Sequence, residues 1–331
     1  MVNRSLFRYA PSVRKLSKNK NLARNTPVKG RSLSLLAISM LSQRLAIFGL
    51  LYASLFCLTG CFNKDEFISP EPSFPVYTPR GSTLVKGVAA CGRCHGSEPT
   101  PRSVLTGGQE LYDIYGSVIA PNLTRADLKE WQPADLVNAI RKSIRANGDK
   151  FAAEHHLGYE WMADEDAYAI ASYLLSLPVV DIEQPTRELS SLARYTSGIT
   201  EKRVNVIGFV PTIPRREPVA YGTYLIDHVA RCTACHNTPS TTFSEERYLA
   251  GGREFIADDG STTIAPNITN SKTVGIGEWS QEDIYQYLIT GTPKGRSFRQ
   301  SSLCPTDFYS GASIEDLKAI ATALSTAGSE S

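Results

Sequence analysis

Two short stretches of the sequence place two cysteines and a histidine at the same spacing. The first reads CGRCH (residues 91–95) and the second reads CTACH (residues 232–236). In each stretch the two thiols are about one helical turn apart, and an imidazole follows directly. Cysteine and histidine at such spacings hold metals or serve redox chemistry. Because the chain has only seven cysteines, four of them in two matching stretches indicate two equivalent sites.

The order C-x-x-C-H is the attachment motif for haem c. Each thiol can add to one vinyl group of the same haem, and the adjacent histidine then takes the proximal position on the iron. A single motif would also fit a zinc or redox site, but two of them favour haem. We therefore predict two haem c groups. The predicted attachment residues are Cys91, Cys94, Cys232 and Cys235, and the predicted proximal ligands are His95 and His236.

The sequence around the two motifs is also repeated. Three pairs of segments match in order: 105–124 with 249–269, 130–148 with 278–295, and 163–178 with 313–328. The last pair has acidic starts and helical spacing of apolar residues, and Ser313 with Asp316 fits a capping box. The pattern predicts an all-α fold with two copies of one module, each containing three or four short helices.

This repeated pattern resembles the class I type bacterial cytochromes c. More narrowly, it resembles the tandem haem domains in the cytochrome subunits of membrane-bound alcohol and gluconate dehydrogenases. The resemblance covers about residues 83–328, and the two haem motifs and both PN-[LI]-T segments are its most specific parts. It implies that Pro121 and Pro266 pack near the proximal histidines, although a plain turn role is the alternative. It also implies that Trp131 and Trp279 are core residues beside the haem groups.

In that family a methionine before the last helix usually supplies the sixth iron ligand. The only methionines here are Met1, Met40 and Met162, and none is at that place. In the first module the resemblance places His155 there, with His156 as the second choice. Met162 directly precedes a predicted helix, and we expect it to pack in the core rather than to bind iron.

In the second module, Cys304-Pro305 stands where the family commonly has Met-Pro, and Phe308 and Tyr309 follow. The resemblance implies that Cys304 is the sixth ligand and that Tyr309 lines the haem pocket. A thiolate ligand would stabilise ferric iron and lower the reduction potential. Two alternatives remain open, namely a buried Cys304 beside five-coordinate iron and a thiol that pairs with another chain. We interpret His228 as a structural or surface residue.

The N-terminal segment resembles a bacterial lipoprotein signal. Residues 1–60 contain ten of the 35 basic residues and none of the 33 acidic ones, so the remainder has an acidic excess of eight. Export, and lipidation of Cys61, are predicted from three consecutive features. These are a short basic stretch starting at Met40, the apolar run 45–56 and the sequence LTGC that ends at Cys61. Met40 is a candidate true start. A simple transmembrane anchor is the alternative, and Phe62 favours the outer membrane if the host has two membranes.

These observations predict five segments. They are the leader 1–60, a proline-rich tether 61–82, a first cytochrome c domain 83–180, a linker 181–217 and a second domain 218–331. The predicted protein is an electron carrier or an electron-transfer subunit rather than an enzyme, lipid-anchored on the periplasmic side of a membrane. Its predicted partners are redox proteins, including a membrane dehydrogenase or an electron-conduit complex, and no nucleic acid. The alternative is a dihaem enzyme that oxidises sulfur compounds or reduces peroxide at the Cys304-side haem.

Overall fold

The computed structural model describes residues 78–185, 187, 190–192, 204–239, 245–256, 262–297 and 303–327. The predicted leader, Met40, the lipidation site Cys61 and most of the tether therefore lie outside the described residues. Among the described residues, the first helix begins at Thr78, within the segment that the sequence assigns to the tether.

The first half of the described chain is mainly helical. Its elements are α1 (Thr78–Lys86), α2 (Gly92–His95), β1 (Glu110–Asp113), β2 (Gly116–Ile119), α3 (Pro133–Lys142) and α4 (Asp164–Ser176). Short 3-10 turns lie at Ala126–Glu130, Ala153–His155 and Tyr159–Trp161. The two strands pair antiparallel as a hairpin, with Glu110 opposite Ile119.

The second half repeats this order and adds one short helix before its last helix. Its elements are α5 (Pro218–His228), α6 (Cys232–His236), β3 (Glu254–Ile256), β4 (Thr262–Ile264), α7 (Gln281–Thr290), α8 (Thr306–Tyr309) and α9 (Ile314–Thr326). The predicted helical fold is confirmed, and the Ser313 hydroxyl accepts the Asp316 N–H at the start of α9. The two hairpins were not predicted, because their strands are only three or four residues long and alternate weakly.

The first and last helices of each half cross at a glycine. A Cβ atom on Gly81 of α1 would lie 2.0 Å from the carbonyl oxygen of Ala169 in α4. A Cβ atom on Gly222 of α5 would lie 2.0 Å from the carbonyl oxygen of Ala319 in α9. Only glycine allows backbones to approach this closely, so both halves depend on the same contact.

A buried polar cluster joins the two halves. Arg80, which is 8% exposed, donates hydrogen bonds to Asp166 of its own half (2.9 Å) and to Asp316 of the other half (2.5 Å). The Tyr221 hydroxyl donates to Asp316 (2.6 Å), and the Tyr224 hydroxyl donates to Asp166 (2.8 Å). Each buried carboxylate therefore has a cation and a hydroxyl as partners, which buried charge requires.

The apolar core also continues from one half into the other. One cluster of buried side chains includes Leu84 and Ile170 of the first half and Leu225 and Ile320 of the second. Within the part of the chain that the structure describes, every helix is too short or too polar to cross a membrane.

Candidate functional site

The chain enters each C-x-x-C-H motif through a left-handed residue. Ala90 has φ of 46° and Arg231 has φ of 54°, and each directly precedes the first cysteine of its motif. This conformation costs a residue with a Cβ atom about 1–2 kcal/mol. Its occurrence at equivalent positions indicates that both motifs need the same sharp change of direction, which starts α2 and α6 at the cysteines.

The two motif histidines make the same hydrogen bond. The Nδ1–H of His95 donates to the carbonyl oxygen of Pro121 (2.9 Å), and the Nδ1–H of His236 donates to that of Pro266 (2.7 Å). Burial is the main cause that lowers the pKa of both imidazoles, so both are neutral at pH 7. With the proton on Nδ1, each Nε2 keeps its lone pair for a metal, and the carbonyl fixes the ring orientation.

Glycines bring the proline loops to the histidines. The N–H of Gly107 donates to the His95 carbonyl (2.8 Å), and the N–H of Gly251 donates to the His236 carbonyl (2.6 Å). Gly107 has φ of 70° and Gly251 has φ of 71°. A Cβ atom would lie 2.3 Å from the carbonyl oxygen of Ala120 at Gly107, and 2.6 Å from that of Ala265 at Gly251. The first glycine of each repeated pair, Gly107 and Gly251, is therefore required by a close backbone contact.

The asparagines of the two PN loops stabilise the loops from within. The Oδ1 of Asn122 accepts the N–H and the hydroxyl of Thr124, both at 2.7 Å. The Oδ1 of Asn267 accepts the same two groups of Thr269, at 2.8 and 2.6 Å. These bonds explain why threonine follows asparagine by two residues in both copies, since a short side-chain turn needs this spacing.

The four motif thiols are held in the uncharged form. Burial raises the pKa of Cys91 to about 12, and it also raises the pKa of the other three, Cys94, Cys232 and Cys235. The side chains are therefore thiols at neutral pH. Each half therefore places two thiols beside an imidazole, which is the set of groups that haem c attachment requires.

The His156 ring lies near the His95 ring in the first half. The two ring centroids are 6.4 Å apart. Imidazole–metal bonds are about 2 Å long, so an iron between two Nε2 atoms would separate the centroids by roughly 6 Å. The Nδ1–H of His156 donates to the Ala139 carbonyl (3.0 Å), which leaves its Nε2 as the ligand atom. The residues of the first half thus fit a haem iron with two histidine ligands.

Burial also keeps His156 neutral. Burial, followed by the nearby His95, lowers the pKa of His156 to about 3. The rings of Phe151 and Tyr159 contact it edge-on, with centroid distances of 5.4 and 5.9 Å. A neutral imidazole fixed by aromatic rings is suited to bind iron, because only the unprotonated nitrogen can ligate.

His155 points to a different group. Its Nε2 lies 3.7 Å from Oδ2 of Asp113, which also pairs with Arg187 (2.5 Å). Burial opposes ionisation of Asp113, but His155 and Arg187 outweigh it and lower the pKa of this carboxyl to about 2. Met162 is fully buried in the core, and its carbonyl accepts a hydrogen bond from Arg141. The geometry therefore favours His156, the second choice of the sequence, as the residue opposite His95.

In the second half, Cys304 lies close to the attachment motif. After burial, Cys304 is the next cause that raises the pKa of Cys232 and of Tyr309, a tyrosine that is 3% exposed. Burial, then Cys304, raises the pKa of Tyr309 well above its usual range. Cys304 is partly buried and packs against the apolar core cluster, to which Tyr309 belongs. The structure therefore brings together the cysteine and the tyrosine that the sequence assigned to this pocket.

The two tryptophans occupy matching places. Trp131 and Trp279 each lie two residues before a helix, α3 and α7 respectively, and both pack against the core cluster. The Trp279 ring also contacts the Tyr287 ring edge-on, with centroids 5.8 Å apart. These positions agree with a packing role.

Two arginines near the motifs were not found by sequence reasoning. Arg93 lies inside the first motif, and burial lowers its pKa, while Cys235 and Cys304 of the second half are among the groups that raise that pKa. Arg231 directly precedes the second motif but contacts the loop of His155 and Leu157 in the first half. The only sequence signal was their position within or next to a motif, which gives no information on contacts across the halves.

Comparison with known proteins finds relatives that are named as c-type cytochromes or as cytochrome subunits of dehydrogenases. The chain is 31% identical over 215 residues to the fructose dehydrogenase cytochrome subunit of Gluconobacter japonicus, which covers 61% of the chain and 43% of the relative. It is also 28% identical over 198 residues to the cytochrome c subunit of the quinone alcohol dehydrogenase of Gluconacetobacter polyoxogenes. This match covers 56% of the chain and 42% of the relative.

A third relative is covered over more of its length. The chain is 27% identical over 225 residues to a dihaem c-type cytochrome of Cereibacter sphaeroides, which covers 62% of the chain and 69% of the relative. No family model matches the chain. The homologues are thus cytochrome c subunits of dehydrogenases and a dihaem cytochrome c. The chain spans less than half the length of the two dehydrogenase subunits.

Proposed function

We propose that this protein is a dihaem cytochrome c that transfers electrons between other redox proteins. Its two haem groups belong to tandem domains at 83–180 and 218–331, joined by the linker 181–217. The observation that carries the proposal is the repeated proximal geometry, in which His95 and His236 each donate Nδ1–H to a proline carbonyl. That bond leaves two Nε2 atoms ready to bind iron, one beside each pair of cysteines.

When bound, each haem supplies an iron centre that takes up and releases one electron. Around it, the chain holds the attachment thiols, orients the proximal imidazoles and encloses both sites. We assign His156 as the sixth ligand of the first haem, because its ring faces His95. We assign Cys304 as the sixth ligand of the second, because it lies beside Cys232 and Tyr309. An anionic sulfur ligand gives the second haem the lower potential.

The physiological partner proposed here is a dehydrogenase. Two of the relatives are named as cytochrome subunits of fructose and alcohol dehydrogenases, which supports this class of electron donor. We propose that the chain is exported, that Cys61 is lipidated and that the anchor lies in the outer membrane of a host with two membranes. The acidic excess after residue 60 would attract a basic patch on a soluble partner.

A redox titration of the purified holoprotein tests the proposed function. Visible spectra recorded against applied potential should show two one-electron transitions, since each iron carries one electron. The variants His95→Ala and His236→Ala should each change one transition and spare the other. A protein with a single transition, or with none in the range of haem c, would overturn the proposal. Lipidation is tested separately by mass analysis of the N-terminal peptide and by the variant Cys61→Ser.

A second candidate function is oxidation of an inorganic sulfur anion at the second haem. The feature that favours it is Arg93, whose pKa is lowered by burial and raised in part by nearby Cys94, Cys235 and Cys304. A cation at this place would attract an anionic substrate. Reduction of the holoprotein by thiosulfate, abolished by Arg93→Gln, would support this function. Absence of reduction at millimolar thiosulfate would leave electron transfer as the function.

A further inference from the structure

Arg231 connects the second attachment motif to the first half of the protein. It directly precedes Cys232, but its Nη1 donates to the carbonyl oxygens of His155 (2.7 Å) and Leu157 (3.1 Å). These two carbonyls lie on either side of His156 in the chain. One guanidinium group therefore fixes the backbone both before and after the histidine that faces His95.

The side chain of Arg231 also packs against the same loop. Its guanidinium carbon is 4.1 Å from the centroid of the Tyr159 ring, a cation–π contact. The Tyr159 ring in turn contacts the His156 ring edge-on, with centroids 5.9 Å apart. Arg231 thus reaches His156 by two routes, through the backbone carbonyls and through an aromatic ring.

Gly158 shows how tightly the loop follows Arg231. Its φ is 102°, and a Cβ atom there would lie 3.1 Å from both Cγ and Cδ of Arg231. The loop therefore passes over the aliphatic part of the arginine in a conformation that favours glycine. His228 adds a further contact, because its Nδ1–H donates to the Gly158 carbonyl (3.2 Å). Both His228 and Arg231 belong to the second half.

We propose that Arg231 is a positioning residue for His156, so that the second attachment motif holds the axial-ligand loop of the first haem. This inference rests on the proposed function, because it takes His156 as an iron ligand. Any displacement of Arg231 moves the His156 loop, which couples the two sites mechanically. Loss of Arg231 should therefore make the bond between His156 and iron easier to break, while both haem groups stay attached.

Cyanide binding to the oxidised holoprotein measures this effect. Cyanide reaches the iron only when His156 moves away, so its binding rate reports how often the loop opens. The variants are Arg231→Gln, which removes the charge, and Arg231→Lys, which keeps the charge but loses the planar guanidinium group that packs on the Tyr159 ring. Arg216→Gln is the matched control, since Arg216 is an exposed arginine just before the second half. The variant His156→Ala identifies the kinetic phase of the first haem, because that phase becomes fastest there.

Loss of one charge-assisted hydrogen bond changes an equilibrium roughly ten- to hundredfold, and we use this range because the two bonds of Arg231 share one nitrogen. We expect Arg231→Gln to accelerate the first-haem phase by that factor, Arg231→Lys by an intermediate factor, and Arg216→Gln to leave it unchanged. The low-spin electron paramagnetic resonance signal of the first haem should also shift in Arg231→Gln. Thermal unfolding of each variant shows whether the fold is retained.

The outcomes separate the inference from the function on which it rests. If the wild type is low-spin at the first haem but Arg231→Gln binds cyanide at the wild-type rate, the positioning role is refuted. Equal acceleration in Arg216→Gln would also refute it, because the effect would then not depend on the bonds that Arg231 makes. If the wild type is already high-spin at the first haem, His156 is not a ligand, and that part of the proposed function fails before the variants are compared.

Discussion

Arg80 is the residue whose removal should most weaken the contact between the two halves. It is 8% exposed and bridges Asp166 and Asp316, whose side chains are 6% and 0% exposed. Burial lowers the pKa of Arg80, but the two carboxylates outweigh that effect and keep the pKa above its ordinary value. The variant Arg80→Met keeps much of the aliphatic stem and leaves two buried carboxylates without their cation.

The expected loss is large. Removing one partner of a buried ion pair costs about 3–5 kcal/mol, because the remaining charge is buried and uncompensated. The Tyr221 and Tyr224 hydroxyls still donate to the two carboxylates, which keeps the loss within that range. Arg215→Met is the matched control. The ion pair of Arg215 with Glu315 has side chains 43% and 54% exposed, so its loss should cost about 0–1 kcal/mol.

Urea unfolding of the holoprotein measures both variants. Far-UV circular dichroism reports the helices, and haem absorbance reports the iron ligands. We expect Arg80→Met to lower the free energy of unfolding by about 3 kcal/mol or more and Arg215→Met by less than about 1 kcal/mol. Equal losses in the two variants, or a loss below about 1 kcal/mol for Arg80→Met, would refute the conclusion that Arg80 joins the halves.

Three further predictions concern the hairpin, a helix crossing and the second ligand. The pKa of Asp113 falls to about 2 in the folded protein, so its stabilisation is present above about pH 4 and is lost as the pH falls through 2. Acid titration should therefore weaken the wild type more than Asp113→Asn, and parallel curves would contradict this. Gly222→Ala should lower the free energy of unfolding by about 1–3 kcal/mol, because its Cβ atom meets the Ala319 carbonyl. Gly81→Ala should cost the same, and an unchanged melting temperature in either variant would refute the crossing. Cys304→Ala should raise the midpoint potential of one haem, as measured by redox titration, and unchanged midpoints would remove Cys304 as a ligand.

The attachment sites were predictable because their chemistry is local. Two cysteines and a histidine within five residues define the motif without any tertiary contact. The helix at Ile314–Thr326 was also predictable, since Ser313 caps it and apolar residues recur at helical spacing. The PN loops were visible as repeats. The reason for the glycines that pack against these loops, Gly107 and Gly251, required their distances to the carbonyl oxygens of Ala120 and Ala265.

The distal residues were harder to predict because neighbours in sequence point in different directions. His155 and His156 are adjacent, so the ligand position in the resembled family does not decide which of the two faces the haem site. Their orientations depend on Asp113 and on the Ala139 carbonyl, which come from other parts of the chain. The role of Arg231 is still less visible, since its partners lie more than 70 residues earlier.

The central claim is that one chain carries two covalently attached haem c groups. Intact mass spectrometry of the holoprotein, combined with denaturing gels stained for haem, tests it most directly. The account predicts a mass increase of two haem groups. It also predicts the loss of one group in Cys91→Ala/Cys94→Ala and of the other in Cys232→Ala/Cys235→Ala. A wild-type mass with one haem or none, under conditions in which another dihaem cytochrome matures fully, would contradict the account.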